Sequence, residues 1–174
     1  MKPDVFKVID AMIAYDQGDP IRIQHFLKVY AFAQTIGRLE GLEEHQQTIL
    51  ELAAVVHDIG IHLSIQKYGS CAGKYQEVEG PPEAEEMLTR LGVPRDMVQR
   101  VCYLVSRHHT YTDMDGLDYQ ILVEADFLVN LLEEAAGEEA VAAARERIFR
   151  TKTGRRFLDM QFPPSRQKIC RDEG

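Results

Sequence analysis

Apolar residues recur at helical spacing along most of the chain. Val5, Ile9, Met12 and Ile13 form the first such face, and Pro3 suits its opening turn. The run Asp16-Gln17-Gly18-Asp19-Pro20 breaks the pattern. Asp19 followed by Pro20 is an N-cap and first-turn signal for a second helix through about residue 39. A third helix is predicted over about 43–58, stopping at Gly60. Residues 61–80, rich in glycine and polar side chains, read as an irregular loop. Pro81-Pro82 then opens a fourth helix closed by Gly92. Pro94 opens a fifth, which carries Met97, Val98, Val101, Leu104 and Val105 and reaches His108. After a turn-rich link at 112–116 a sixth helix covers 117–136, and Gly137 separates it from a seventh ending near Arg150. No segment alternates as a strand would. The expectation is an all-α fold: a single helical bundle of about six to eight helices over 1–150. A tail, 151–174, would pack on or near it through Phe157, Leu158 and Phe162.

Composition narrows the partners. The 174 residues are 45% apolar and 28% charged, an ordinary globular balance. The formal net charge of −8 opposes a long nucleic acid, whose binding needs clustered Lys and Arg, but leaves room for a local basic pocket holding one phosphate. Cys71, Cys102 and Cys170 are an odd number, widely spaced, without a CxxC pair, as expected of free thiols in a reducing cytoplasm. Met1-Lys2-Pro3-Asp4 lacks a long apolar stretch after it, so no signal peptide is expected. The most apolar run, 49–56, is short and carries Glu51, so no membrane span is expected.

Candidate chemistry starts at His57-Asp58, which follows Ala53-Ala54-Val55-Val56 at the end of an apolar helix. Adjacent helical side chains point about 100° apart, so both reach one ion lying between them. Taken alone, the pair also fits a helix-terminal histidine beside a solvated aspartate. His25 lies on the core side of Ile23-Gln24-His25-Phe26-Leu27, and Asp126 lies inside Ile121-Leu122-Val123-Glu124-Ala125-Asp126-Phe127-Leu128, the most apolar helix. An aspartate there is unfavourable unless something pairs with it. Together the four residues offer the mixed imidazole and carboxylate ligands that suit Mn, Fe, Co, Ni or Zn, with Mg also admissible. Gly69-Ser70-Cys71-Ala72-Gly73-Lys74-Tyr75 fails as a phosphate-binding P-loop. It is one residue short between the glycines, and Tyr75 stands where Ser or Thr is needed. Its glycines and Lys74 suit either a flap over a phosphate or a plain surface loop. Asp113-Met114-Asp115-Gly116 reads as a turn rather than a calcium loop. His45 reads as surface, and His62 as a weaker candidate near the site.

The order His25, His57-Asp58, Asp126 resembles the H…HD…D signature of the HD-domain metal-dependent phosphohydrolases, and His57-Asp58-Ile59-Gly60 is the HDIG form of many bacterial members. The resemblance covers about 20–132. It implies a helical bundle that binds one or two divalent metals through His25, His57, Asp58 and Asp126 and hydrolyses a phosphate ester, often of a nucleotide. Asp58 would also orient the attacking water, while His108, His109 and Lys74 would neutralise charge or protonate the leaving oxygen. His108-His109 resembles the extra histidines of two-metal members. Those members carry a further histidine where this chain reads Tyr75-Gln76-Glu77-Val78-Glu79-Gly80, and only Glu77 or Glu79 offers a substitute ligand. One ion is therefore preferred, with two as the alternative. The rival readings are a degenerate HD domain that senses a nucleotide or organises an assembly, and a di-iron oxygenase. The expected partner is a small phosphorylated substrate; a homo-oligomer is compatible with the sequence.

Overall fold

The computed structural model describes residues 3–164 of the 174. Among them are nine helices and no strand: α1 Val5–Tyr15, α2 Pro20–Glu40, α3 Glu44–Val56, α4 Ile61–Tyr68, α5 Gly73–Arg90, α6 Arg95–Val105, α7 Leu117–Glu133, α8 Glu138–Arg147 and α9 Lys152–Gln161. The all-helical expectation holds, and α4 and α9 are the two helices beyond the seven read from periodicity.

Local chemistry sets the helix ends. Asp19 accepts the Arg22 backbone N–H at 3.0 Å and Pro20 fills the first turn, so α2 starts where its cap signal stands. Gly41, at φ 79°, ends it in the left-handed region. Every residue of α3 from Gln47 to Val56 is buried, which makes it the central helix. It packs against α2 and α7, with α1 and α6 closing its other sides, while α9 lies on α2 and α7.

Two expectations are corrected. Residues 61–80 are not a loop but α4 and the first half of α5, and Pro81-Pro82 lies inside α5 rather than opening it. The glycines there mark helix ends and close approach. Gly69, at φ 64°, ends α4. Gly60 faces Gly80 so tightly that a Cβ on Gly60 would sit 2.6 Å from the Gly80 nitrogen. The prolines remove two amide donors, one turn after Glu77 and Val78, and the helix continues because its neighbours hold it. Cys102 Sγ, for one, approaches the Pro81 carbonyl at 3.5 Å.

The tail begins as α9, capped by Thr151, with Leu158 buried and Phe157 and Phe162 partly so. Glu124 of α7 is fully buried and accepts from Gln120 Nε2 at 2.7 Å, from the backbone N–H groups of Arg150 and Thr151 at 2.6 and 2.9 Å, and from the Thr151 hydroxyl. It thereby ties the start of α9 to α7. Cys71 and Cys102 are free thiols; Cys170 and the rest of 165–174 lie outside the described residues.

Candidate metal centre

Three helices deliver the four candidate ligands named above. α2 brings His25, the turn closing α3 brings His57 and Asp58, and α7 brings Asp126. That turn stays tight: Ile59 N–H bonds to the Val56 carbonyl and Ile61 N–H to the Asp58 carbonyl, each at 3.0 Å. His25 Nε2 lies 3.2 Å from His57 Nε2, 3.4 Å from Asp58 Oδ2 and 3.2 Å from Asp126 Oδ1. His57 Nε2 lies 3.6 Å from Asp58 Oδ2 and 3.5 Å from Asp126 Oδ1. Ligands bound at about 2.1 Å in a tetrahedron stand about 3.4 Å apart, so each of these five separations suits ligands sharing one ion, and the donor atoms of His25, His57 and Asp58 all lie within 4.8 Å of one another.

The tautomers fit it too. His57 Nδ1 donates to the Ala54 carbonyl at 2.8 Å and His25 Nδ1 donates to Glu133 Oε2 at 2.9 Å. Both Nε2 atoms are then left with lone pairs that face each other, and something positive must lie between them, a proton or a metal cation. Asn130 Nδ2 steadies Asp126 Oδ1 at 2.9 Å, and Lys28 holds Glu133 at 2.5 Å.

Charge concentrates here despite burial. Burial disfavours an ionised Asp126, yet hydrogen bonds from His25 and His57 hold its carboxyl below the usual range. Burial likewise opposes the ionised Asp58, which His57 and His108 hold well below that range. Burial opposes a charged His25, but Asp126 and Asp58 outweigh it and raise the ring to about 9.

His108 joins the cluster at Asp58. Its Nδ1 donates to the Val105 carbonyl at 2.7 Å, and its buried Nε2 lies 3.4 Å from Asp58 Oδ1 with no hydrogen-bond partner among the described residues. His109 is the neighbour, with Nε2 3.2 Å from Gln76 Oε1; burial and then His108 push its pKa down to about 4. The donor atoms of Asp58, His108 and His109 all lie within 4.8 Å of one another.

The remaining candidates are placed elsewhere. Lys74 is exposed, its ammonium 4.8 Å from the Tyr75 ring centre, and it is not brought to the cluster. Glu77 is engaged by the His109 N–H at 3.1 Å and the Thr110 hydroxyl at 2.9 Å, and Glu79 by Lys67 and Tyr68. His62 pairs with Asp16 at 3.0 Å, and His45 is exposed beside Asp96. Sequence reasoning missed Arg22, whose Nη1 lies 3.6 Å from Asp58 Oδ2 and remains partly exposed. It also missed Asn130 and Glu133. The signal for Arg22 was its position three residues before His25, on one helix face.

The HD domain family model matches residues 22–151. A solved structure described as a predicted HD superfamily hydrolase, from an uncultured Thermotogales bacterium, is similar with a TM-score of 0.67 and 23% identity. The match covers 92% of this chain and 86% of that one, and at this identity it speaks to the fold. No curated protein matches at a significant level.

Proposed function

This chain belongs to the HD-domain family, and on that footing we propose that it hydrolyses a phosphate ester of a small molecule, a nucleotide or related compound, with one divalent cation. The observation that carries the reading is that two imidazole Nε2 atoms face each other and each lies within 3.6 Å of both Asp58 and Asp126. A cation held there supplies charge neutralisation for a phosphoryl oxygen and acidifies the attacking water. His25, His57, Asp58 and Asp126 bind it. Asp58 faces both His108 and Arg22, so it also orients whatever lies between them. The Arg22 guanidinium is the partly exposed cation at this edge, suited to a phosphate oxygen. His108 Nε2, beside Asp58 and free of any other hydrogen-bond partner among the described residues, is placed to pass a proton to a leaving oxygen. The site side chains run from 0% exposed at His57 to 14% at Asp58, which favours a small phosphorylated substrate over a polymer.

The test is a screen of nucleotides and other phosphate esters with Mn, Fe, Co, Ni, Zn and Mg. Loaded protein is expected to hold about one equivalent of metal and to turn over at least one ester. Asp58→Ala and His57→Ala are each expected to abolish that turnover while far-ultraviolet circular dichroism stays helical. Wild-type rates in both variants would remove the chemistry from this pair. Metal and nucleotide binding without turnover would make the protein a sensing module instead.

A further inference from the structure

Two residues of the cluster are followed closely by aromatic side chains: Asp126 by Phe127, and His109 by Tyr111 two positions on. The two rings meet, with centres 5.2 Å apart at 72°. Phe127 is partly buried, while Tyr111 keeps 39% of its surface exposed. An edge-to-face contact covers at most one face of a ring, and no other ring or cation lies on Tyr111 among the described residues. The segment that carries Tyr111 is pinned from both sides. The Tyr119 hydroxyl of α7 shares its proton between the Arg107 and Thr110 carbonyls, at 2.7 and 2.5 Å. Glu77 of α5 accepts from the His109 N–H and the Thr110 hydroxyl, and the His109 ring is wedged so close to Gly73 that a Cβ there would meet it at 2.6 Å. Burial first, and then the carboxylates of Asp126, Glu77 and Glu134, push the Tyr111 hydroxyl up to about 12. Those charges stand on α5 and on α7 and its end, so the phenol lies at the rim between the helix that brings Asp126 and the helix that holds His109. The other tyrosines are committed. Tyr15, Tyr68 and Tyr119 donate to protein oxygens, Tyr30 accepts from Gln34, Tyr75 stacks on Tyr68, and Tyr103 carries Arg100 and Arg107 on its ring.

We propose that Tyr111 is a specificity-determining residue, the platform on which a flat ring of the substrate stacks while its phosphate meets the cation; the assignment rests on the phosphate-ester reading above and adds what selects the rest of the molecule. A nucleobase is such a ring. Stacking on tyrosine tolerates any base, because every base offers a π face, and it needs the aromatic ring rather than the hydroxyl. A ring already held against Phe127 and governed by two side-chain torsions gives up little freedom when the ligand arrives. A phosphorylated sugar without a base would forgo this contact and keep only the phosphate's.

The experiment titrates zinc-loaded protein with AMP, GMP, CMP and UMP and with ribose 5-phosphate, which has the same sugar and phosphate and no base. It reads the dissociation constant, or KM where the ester is turned over. Wild type is expected to take at least one nucleotide about tenfold more tightly than ribose 5-phosphate. Tyr111→Leu, which fills the same space without a flat face, is expected to erase that advantage and leave ribose 5-phosphate unchanged. Tyr111→Phe is expected to keep it. Nucleotides held no better than ribose 5-phosphate by wild type would overturn the proposal and leave the centre standing. So would a folded leucine variant that keeps the preference, or a phenylalanine variant that loses it. If the leucine variant does not fold, nuclear Overhauser contacts between base protons and the Tyr111 ring in wild type decide, their absence counting against the platform. Wild type that holds neither nucleotides nor ribose 5-phosphate would bring down the phosphate-ester reading and the platform with it.

Discussion

A buried polar atom without a hydrogen bond costs about 1–3 kcal/mol, and His108 Nε2 is such an atom. Its position beside Asp58 gives that cost a use, because a proton on that nitrogen can be donated to a substrate oxygen. His108→Ala is therefore expected to lower turnover by roughly a hundredfold or more and leave bound metal unchanged. Assay and metal analysis of the one variant decide the role. Loss of metal would make His108 a ligand, and unchanged turnover would remove it from the chemistry. At this scale the sequence was informative wherever a polar group interrupts an apolar run. His57, Asp58 and Asp126 stand out because burying them unpaired is so unfavourable. Arg22 and Glu133 sit in polar surroundings where nothing marks them. Their roles come from contacts with Asp58 and His25, which are 36 and 108 positions away.

Among the elements, caps were legible and the glycine-rich hairpin was not. Asp19-Pro20 signals a helix start through local bonds that any chain with those residues can make. Gly60, Gly73 and Gly80 carry no such local message, because each is required by a neighbour distant in sequence. The double proline misled for the same reason, since tertiary contacts sustain α5 through it. Gly60→Ala would drive a Cβ against the backbone of Gly80 and the Gln76 carbonyl, none of which can yield cheaply. A loss of about 1–3 kcal/mol is expected, with weaker metal binding because Asp58 is two residues away. Gly137→Ala is the control: φ is −74° and a Cβ there meets nothing within 4 Å, so its urea midpoint should hold or rise slightly. Equal midpoints for the two variants would refute the close packing of α4 on α5.

Seen whole, α7 presents two of its buried carboxylates, Glu124 and Asp126, on opposite sides. Residues 124 and 126 are two apart, so their side chains point about 200° from each other. Asp126 faces His25 and His57, while Glu124 gathers the start of α9. Glu124→Ala leaves those amide donors unpaired and is expected to cost about 2–4 kcal/mol, with metal content unchanged. Asp126→Ala should do the reverse, emptying the centre while the protein stays helical. Denaturant melts and metal analysis on both would expose any mixing of the two roles. The helical class was readable because periodicity runs the length of the chain. The bond between Glu124 and Thr151 was not, since a carboxylate in an apolar helix names no partner.

An ion held by His25, His57, Asp58 and Asp126 joins chain positions roughly 100 residues apart. It acts as a reversible cross-link as well as a reactant's partner. The unfolded chain cannot bring the four groups together, so nearly all of the binding free energy favours the native state. Each tenfold rise in free cation above the dissociation constant then adds about 1.4 kcal/mol against unfolding. Scarcity of the ion would silence the centre and loosen the clasp on α2, α3 and α7 together, so the lifetime of the folded chain would follow the supply of the cation.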